Sequence, residues 1–226
     1  MTAPARALTS LPLVGCRPMR GFSWHRSQRH RGGLQFMVST GCHHGYEALA
    51  EARLLTMLDF AGEVIDVLSQ PMRLRFSTED GAREHIPDFL ADTTTGRWLI
   101  DVHPAGQIQL RDEVAFAATA QFAELLGWGY MAVTGWRQPA LATVDTLSSQ
   151  RRPLADPLGM AEALMTAVAA GPCRFDEARG IDDGTNDLES VCAATALATE
   201  LGLDLSQPLD DQAVLTAAAG SARRVE

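Results

Sequence analysis

Three side chains near the middle of the chain, Asp88, Asp101 and His103, are of the types that handle phosphate esters through a metal ion. They lie in "HIPDFLADTTTGRWLIDVHPAG", His85 to Gly106, which reads as two strands joined by a turn at Thr94-Thr95-Gly96. Side chains two apart on a strand face the same way. In "RWLIDVHP", Leu99, Asp101 and His103 therefore share one face, and Trp98, Ile100 and Val102 the other. Asp88 falls on the neighbouring antiparallel strand, where facing residues stand about 5 Å apart and diagonal ones about 7–8 Å. Clustered carboxylates repel unless they share a cation or protons. A hard cation such as Mg2+, with Mn2+ as its substitute, suits all-oxygen ligands; it polarises a phosphoryl oxygen and generates hydroxide from water. The same spacing also fits a turn aspartate after Pro87 and a merely exposed acid at 101, so the pattern alone leaves both readings open.

The elements that must position these groups follow from local pattern. "GGLQFMVSTG" reads as a short strand and a Thr-Gly turn, with "CHHGYE" leading into a helix over 46–60, "YEALAEARLLTMLDF". Leu54, Leu55 and Leu58 share one face of that helix. Glu51 lies on the same stripe and Glu47 one turn further back. An acid on a buried stripe is informative; it can supply a third carboxylate to the strand acids, or reach solvent from the stripe's edge. "EVIDVLSQP" is an apolar strand ending at Gln70-Pro71, and "MRLRF" alternates as a half-exposed strand turned back by "TEDG". "REHIPDFLAD" then reads as one strand. Residues 110–127 form a second helix with Val114, Ala118, Phe122 and Leu125 on its stripe and Gly127 as its C-cap. "YMAVTGW" is a last strand. The order predicts an α/β fold in which a mixed sheet is flanked by helices.

Beyond this core, residues 137–157 read as a linker and 158–226 as a small, mostly helical appendage. It has helices over 158–170 and 187–201, an acidic loop between them, and a helix starting at Pro208. Residues 1–20 read as a flexible leader, which leaves 21–136 as the main domain.

Composition narrows the class. No apolar run approaches the roughly 20 residues that span a bilayer, and no signal-peptide pattern opens the chain; the expectation is cytoplasmic. Cys16, Cys42, Cys173 and Cys192 are scattered, which points to free thiols in a reducing compartment. Cys42-His43-His44 suggests a metal, but adjacent histidines rarely face one ion. The net charge is −9, unevenly spread: residues 1–44 hold six Arg and no acid, whereas 153–226 hold 13 acids and 4 Arg. A basic arm on an acidic body can touch phosphate locally. All 19 Lys and Arg are Arg, so chemistry that commonly uses a lysine amine must use another group.

Five phrases in order, "STG", "YEALAEARLLTMLDF", "VIDVLSQP", "IPDFLAD" and "WLIDVHPAG", followed by the helix "RDEVAFAATAQFAELLGWGYMAVTG", resemble the catalytic domain of TnsA-type transposase endonucleases. That family belongs to the PD-(D/E)xK restriction-endonuclease-like superfamily. The resemblance implies a restriction-endonuclease-like mixed sheet flanked by helices. It places Glu51 as the helix glutamate, with Glu47 as its alternative, Asp88 as the motif aspartate and Asp101 as the second metal ligand. Gln70 is the glutamine of a "QP" turn that orders the strands, and His103 stands where the family usually has lysine. Imidazole can assist the nucleophile as a protonated charge or as a neutral base. The weaker match of "LGLDLSQPLDDQAVLTAA" implies a degenerate winged-helix-like second domain.

The implied function is that of a Mg2+-dependent DNA endonuclease subunit of a heteromeric transposase, cutting the 5′ ends of a mobile element. Its implied partners are DNA, a DDE-type transposase subunit and an AAA+ ATPase regulator. Two alternatives stay open: an assembly subunit with a decayed site, and a stand-alone nuclease of restriction or repair type.

Overall fold

Gly33–Met37 (β1) and Cys42–Tyr46 (β2) pair as an antiparallel hairpin. Sequence pattern predicts that "CHHGYE" leads straight into the helix; instead Gly41, at φ +65°, lets the turn close so that "CHHGY" pairs back as a strand. The turn is pinned from a distance. Asp59, buried near the end of α1 (Leu49–Ala61), accepts the backbone N–H groups of Val38 at 3.1 Å and Ser39 at 2.7 Å. Because Tyr46 is committed to the ladder opposite Gly33, the helix begins later than its propensity suggests. The computed structural model describes residues 12–22, 32–61, 63–148, 160–178 and 201–217, and the chain divides into two units, 1–135 and 136–226.

The first unit continues with β3 (Val64–Ser69), β4 (Leu74–Thr78), β5 (Gly81–His85), β6 (Phe89–Thr93) and β7 (Gly96–Val102). A 3-10 turn (Ala105–Gln107), α2 (Leu110–Leu125) and β8 (Gly129–Val133) follow. The order β3-β6-β7-β8 makes one four-stranded sheet, antiparallel except for the β7–β8 pair. β4 and β5 form a separate hairpin. The fold is thus mixed α/β, with a mixed sheet flanked by helices. "REHIPDFLAD" is not the single strand expected. Pro87 has no N–H to give a ladder, and the chain leaves the β4–β5 hairpin at His85 and joins the main sheet at Phe89.

Leu68, Leu90 and Leu99 stand opposite one another across the sheet. They bury against Ala123, Leu126 and Trp128, with Leu13 from the leader in the same cluster. On the other face, Ser69 donates its hydroxyl to the Gly45 carbonyl of β2 at 2.7 Å. The stripe expected on α2 holds in part: Phe122 packs against this cluster and Val114 and Ala118 are half-buried, but Leu125 is 84% exposed, and Thr119 and Ala123 are the fully buried positions. Gly127 does cap the helix. At φ +68° it donates to the Glu124 carbonyl while Trp128 donates to that of Ala123, the paired bonds of a Schellman end.

Residues 1–11 of the expected flexible leader lie outside the described residues, and residues 12–20 are anchored. Burying Leu13 contributes about 1.5–3 kcal/mol, comparable to the entropy of ordering one or two residues, so further contacts are needed to hold it. Met19 donates to the Gln70 carbonyl at 3.0 Å, Arg20 lies 3.5 Å from Glu47, and Phe22 packs over Gly45.

In the second unit, part of the expected linker is a helix, α3 (Gln138–Ser148), which buries Leu141, Thr143, Val144 and Leu147. Its apolar spacing of three was masked by the Pro, Ser, Gln and Arg around it. Then come α4 (Met160–Ala170), β9 (Cys173–Arg174), the short α5 (Phe175–Ala178), β10 (Leu201–Leu203) and β11 (Val214–Ala217). The three strands pair antiparallel in the order β10-β11-β9. The helix expected from Pro208 is therefore replaced by a turn and β11, whose Leu215 is fully buried. The helix expected over 187–201 lies outside the described residues apart from Leu201, which opens β10. Among the described residues no helix is long and apolar enough to cross a membrane.

Asp59 generates the first prediction. Asp59→Ala removes two charge-assisted hydrogen bonds to the β1–β2 turn and lowers stability by about 2–4 kcal/mol, read as a shift of the urea midpoint at unchanged slope.

Candidate metal centre

Asp101 sits near the end of β7 and is 2% exposed. A carboxylate buried that deeply requires hydrogen-bond partners. Its Oδ1 lies 2.9 Å from His85 Nε2, at the end of β5, and its Oδ2 accepts the Tyr130 hydroxyl of β8 at 3.0 Å. Tyr130 pairs with Leu99 in the parallel register, two positions from the Asp101 partner Ala132, so it reaches Asp101 diagonally on one face. Burial first, then the Asp101 charge and the hydrogen bond to it, raise the Tyr130 pKa, so the phenol stays a donor.

Asp88 occupies the bend where the chain changes sheets. Its carbonyl accepts the Gln70 N–H at 2.7 Å, extending the β3–β6 ladder by one bond, and its Oδ2 accepts the Val102 N–H at 2.7 Å. Burial holds the Asp88 carboxyl well above the usual carboxylate range. The Glu51 charge adds to this, and more weakly the charges of Asp101 and Glu47; the Val102 N–H opposes it. Gln70 is 2% exposed with its backbone at φ +46°, a left-handed conformation uncommon for a side chain of this kind. Among the described residues its Oε1 has no hydrogen-bond partner.

Glu51, expected on the buried stripe of α1, is 8% exposed. Its Oε2 accepts the Glu47 N–H at 2.8 Å, tying the start of the helix. Burial raises its pKa to about 7, with the Glu47 carboxylate adding to the rise and the Glu47 N–H and Arg20 opposing it. Arg20, 3.5 Å from Glu47, is the cation that the leader brings to this side of the site.

His103 follows β7 directly, donating its backbone N–H to the Val133 carbonyl. Its ring turns to the Gln107 carbonyl, 3.2 Å from Nε2, with Asp112 at 3.6 Å. Phe116 of α2 stands edge-on to both imidazoles, 6.1 Å from His103 and 6.4 Å from His85. His43 and His44 diverge: His43 packs on Phe36, while His44 is buried with Thr40 Oγ1 at 2.7 Å from its Nε2.

The structure thus brings Glu47, Glu51, Asp88 and Asp101 into one electrostatic neighbourhood. Among the described residues, however, no three His, Cys, Asp or Glu side chains stand together in a ligand arrangement. Asp101 is held by His85 and Tyr130, Asp88 by Val102, and Glu51 by Glu47. The donor chemistry nevertheless fits a hard divalent cation: the donors are all oxygen, and burial and neighbouring carboxylates raise the pKa of Glu51 and Asp88, a strain that a cation relieves. His85 and Tyr130 were missed in the sequence. The available signal was Tyr130 itself, since a phenol on a buried strand needs an acceptor; His85 carried none, because its contact crosses between two sheets.

The Glu51 shift has a defined sign. Between pH 4.5 and about 7 the folded protein holds a proton at Glu51 that the unfolded chain releases, so stability falls as pH rises through that window. Glu51→Gln keeps an acceptor for the Glu47 N–H without the charge. At pH 8 the variant is the more stable by on the order of 2 kcal/mol, and the difference vanishes below pH 4.5; denaturant melts across pH measure it.

No protein-family model matches the chain, and no curated protein matches it.

Proposed function

We propose that the chain is a metal-dependent DNA endonuclease, the subunit of a heteromeric transposase that cuts the 5′ ends of a mobile element. The observation that carries this reading is the electrostatic coupling of Asp88 to Glu51 and Asp101, acids delivered by a sheet junction, a helix and a strand end, with Asp88 and Glu51 held above the usual carboxylate range. In this reading Asp88, Asp101 and Glu51 hold Mg2+, with Glu47 beside them. When bound, the ion supplies a polarised phosphoryl oxygen and an activated water. Gln70 braces the junction through its backbone bonds to Asp88 and Met19. His103 stands at the position of the lysine that the resembled family uses. DNA, a DDE-type transposase subunit and an AAA+ regulator are the proposed partners. The acidic balance of residues 153–226 favours a protein partner there, since phosphate contact needs basic groups.

A second reading, an assembly subunit with a decayed site, is favoured by a specific observation. The His103 ring is engaged by the Gln107 carbonyl and the Asp112 carboxylate, neither of them a group of the proposed site, and no lysine exists to replace it.

Nicking of supercoiled DNA with Mg2+ or Mn2+, in the presence of the partner transposase, separates the two. Under the nuclease reading the parent cuts, Asp88→Ala and Asp101→Ala fall to background, His103→Ala slows by roughly 10²–10⁴, and His103→Lys is preserved or faster. An inactive parent that His103→Lys restores establishes decay. Calorimetric titration with Mn2+ gives an independent reading: a parent that binds no better than the Asp88→Ala/Asp101→Ala double variant excludes the metal site.

A further inference from the structure

Both oxygens of the most deeply buried acid at the site are occupied, and by groups from different elements. His85 Nε2 stands 2.9 Å from Asp101 Oδ1, and the Tyr130 hydroxyl 3.0 Å from Oδ2. Tyr130 has one proton to give and gives it to the carboxylate, so the direction of that bond is settled. An ionised Asp101 accepts only, so the proton of the other bond sits on His85 Nε2. The His85 ring is fixed in turn by Phe116, edge-on at 6.4 Å and 74°. The carboxylate is therefore set by a hairpin strand, a sheet strand and a helix at once. Each carboxylate oxygen can accept more than one bond, so the two contacts do not exhaust the acceptor capacity of either.

We infer that His85 and Tyr130 are positioning residues that clamp Asp101 in the orientation in which it offers its remaining acceptor capacity to a divalent cation. This rests on the reading of Asp101 as a ligand of the nuclease site. Partners of this kind fix the orientation of a ligating side chain, and their loss commonly weakens metal binding by 10–100-fold. The contrast with His103 is geometric: that ring is spent on a backbone carbonyl, whereas His85 is the imidazole bonded to the acid.

The test uses the full chain with Mn2+ alone as the probe. Calorimetry is expected to show affinity falling at least 10-fold in His85→Ala and several-fold in Tyr130→Phe, with His85→Gln, which keeps an N–H donor, recovering most of the loss. In an Asp101→Asn background His85→Ala is expected to change nothing further, because the clamp acts only through Asp101. Parent-like Mn2+ affinity in His85→Ala, or an equal loss with and without Asp101, overturns the inference. Melting temperatures without metal supply the second readout: the His85→Ala and Asp101→Asn shifts are expected to be non-additive, and additive shifts overturn the clamp whatever the metal does. A parent that takes up no Mn2+ at all removes the nuclease reading and the ligand-positioning role together, while the melting cycle still reports whether the His85–Asp101 bond exists.

Discussion

Pro87 has no N–H to offer, so neither the β4–β5 ladder nor the β3–β6 ladder can run through it. The chain leaves one sheet at His85 and joins another at Phe89, and much of what is unusual about the molecule follows from that break. Asp88, just past the proline, becomes a junction residue whose carbonyl and carboxylate bond to the ends of β3 and β7. His85, just before it, is left at the end of a separate hairpin with its ring over the main sheet, where it meets Asp101. A continuous strand from Arg83 to Asp92 would have to pair with one ladder only, and would lose one of these two contacts.

The acids gathered at this junction set an electrostatic problem that the fold answers unevenly. Asp101 is compensated by two hydrogen bonds, each worth about 1.5–3 kcal/mol to a charged acceptor. Asp88 and Glu51 each have one backbone N–H, and burial keeps both above the usual range. Among the described residues, Arg20 is the cation whose charge acts on Glu51. The chain has no lysine, and Arg20 reaches Glu47 rather than the inner acids. The leader matters here beyond its own anchoring, because Met19 and Arg20 lay it along the Gln70 turn and the start of α1, beside two of the acids.

What could be read from the sequence was what is locally determined. The α1 stripe, the end of β3 at Gln70-Pro71, the two-residue turn Thr94-Thr95 and the Gly127 cap each depend on a few neighbouring residues, and each is present. The elements that escaped depend on distant partners. "CHHGY" has no strand-like alternation of apolar residues and becomes β2 by pairing with β1. "AVLTA" is rich in helix formers but is drawn into β11 by β10 and β9, an override of propensity by pairing. α3 was hidden because its polar surroundings resemble a linker more than its Leu141, Val144 and Leu147 resemble a stripe. The site divides in the same way. Spacing and one misplaced acid make Asp88, Asp101 and Glu51 candidates and the family resemblance assigns them, whereas the partners of Asp101 require knowing that β5 leaves the sheet and that β8 lies parallel beside β7.

The electrostatic imbalance also bears on whether such a site can persist without function. Replacing a buried charged group by a well-packed apolar one is commonly neutral or stabilising, so a fold that keeps Glu51 and Asp88 buried above their usual pKa carries a standing cost at neutral pH. A divalent cation offsets that cost directly, because it favours the charged form of every acid it touches. The Asp101 arrangement is different in kind, since it is satisfied by the protein's own donors and is stable with or without an ion. Under the nuclease proposal the two arrangements divide the work: Asp101 is held in place in advance, while Asp88 and Glu51, whose ionisation burial disfavours, are the acids whose charged form a cation would favour.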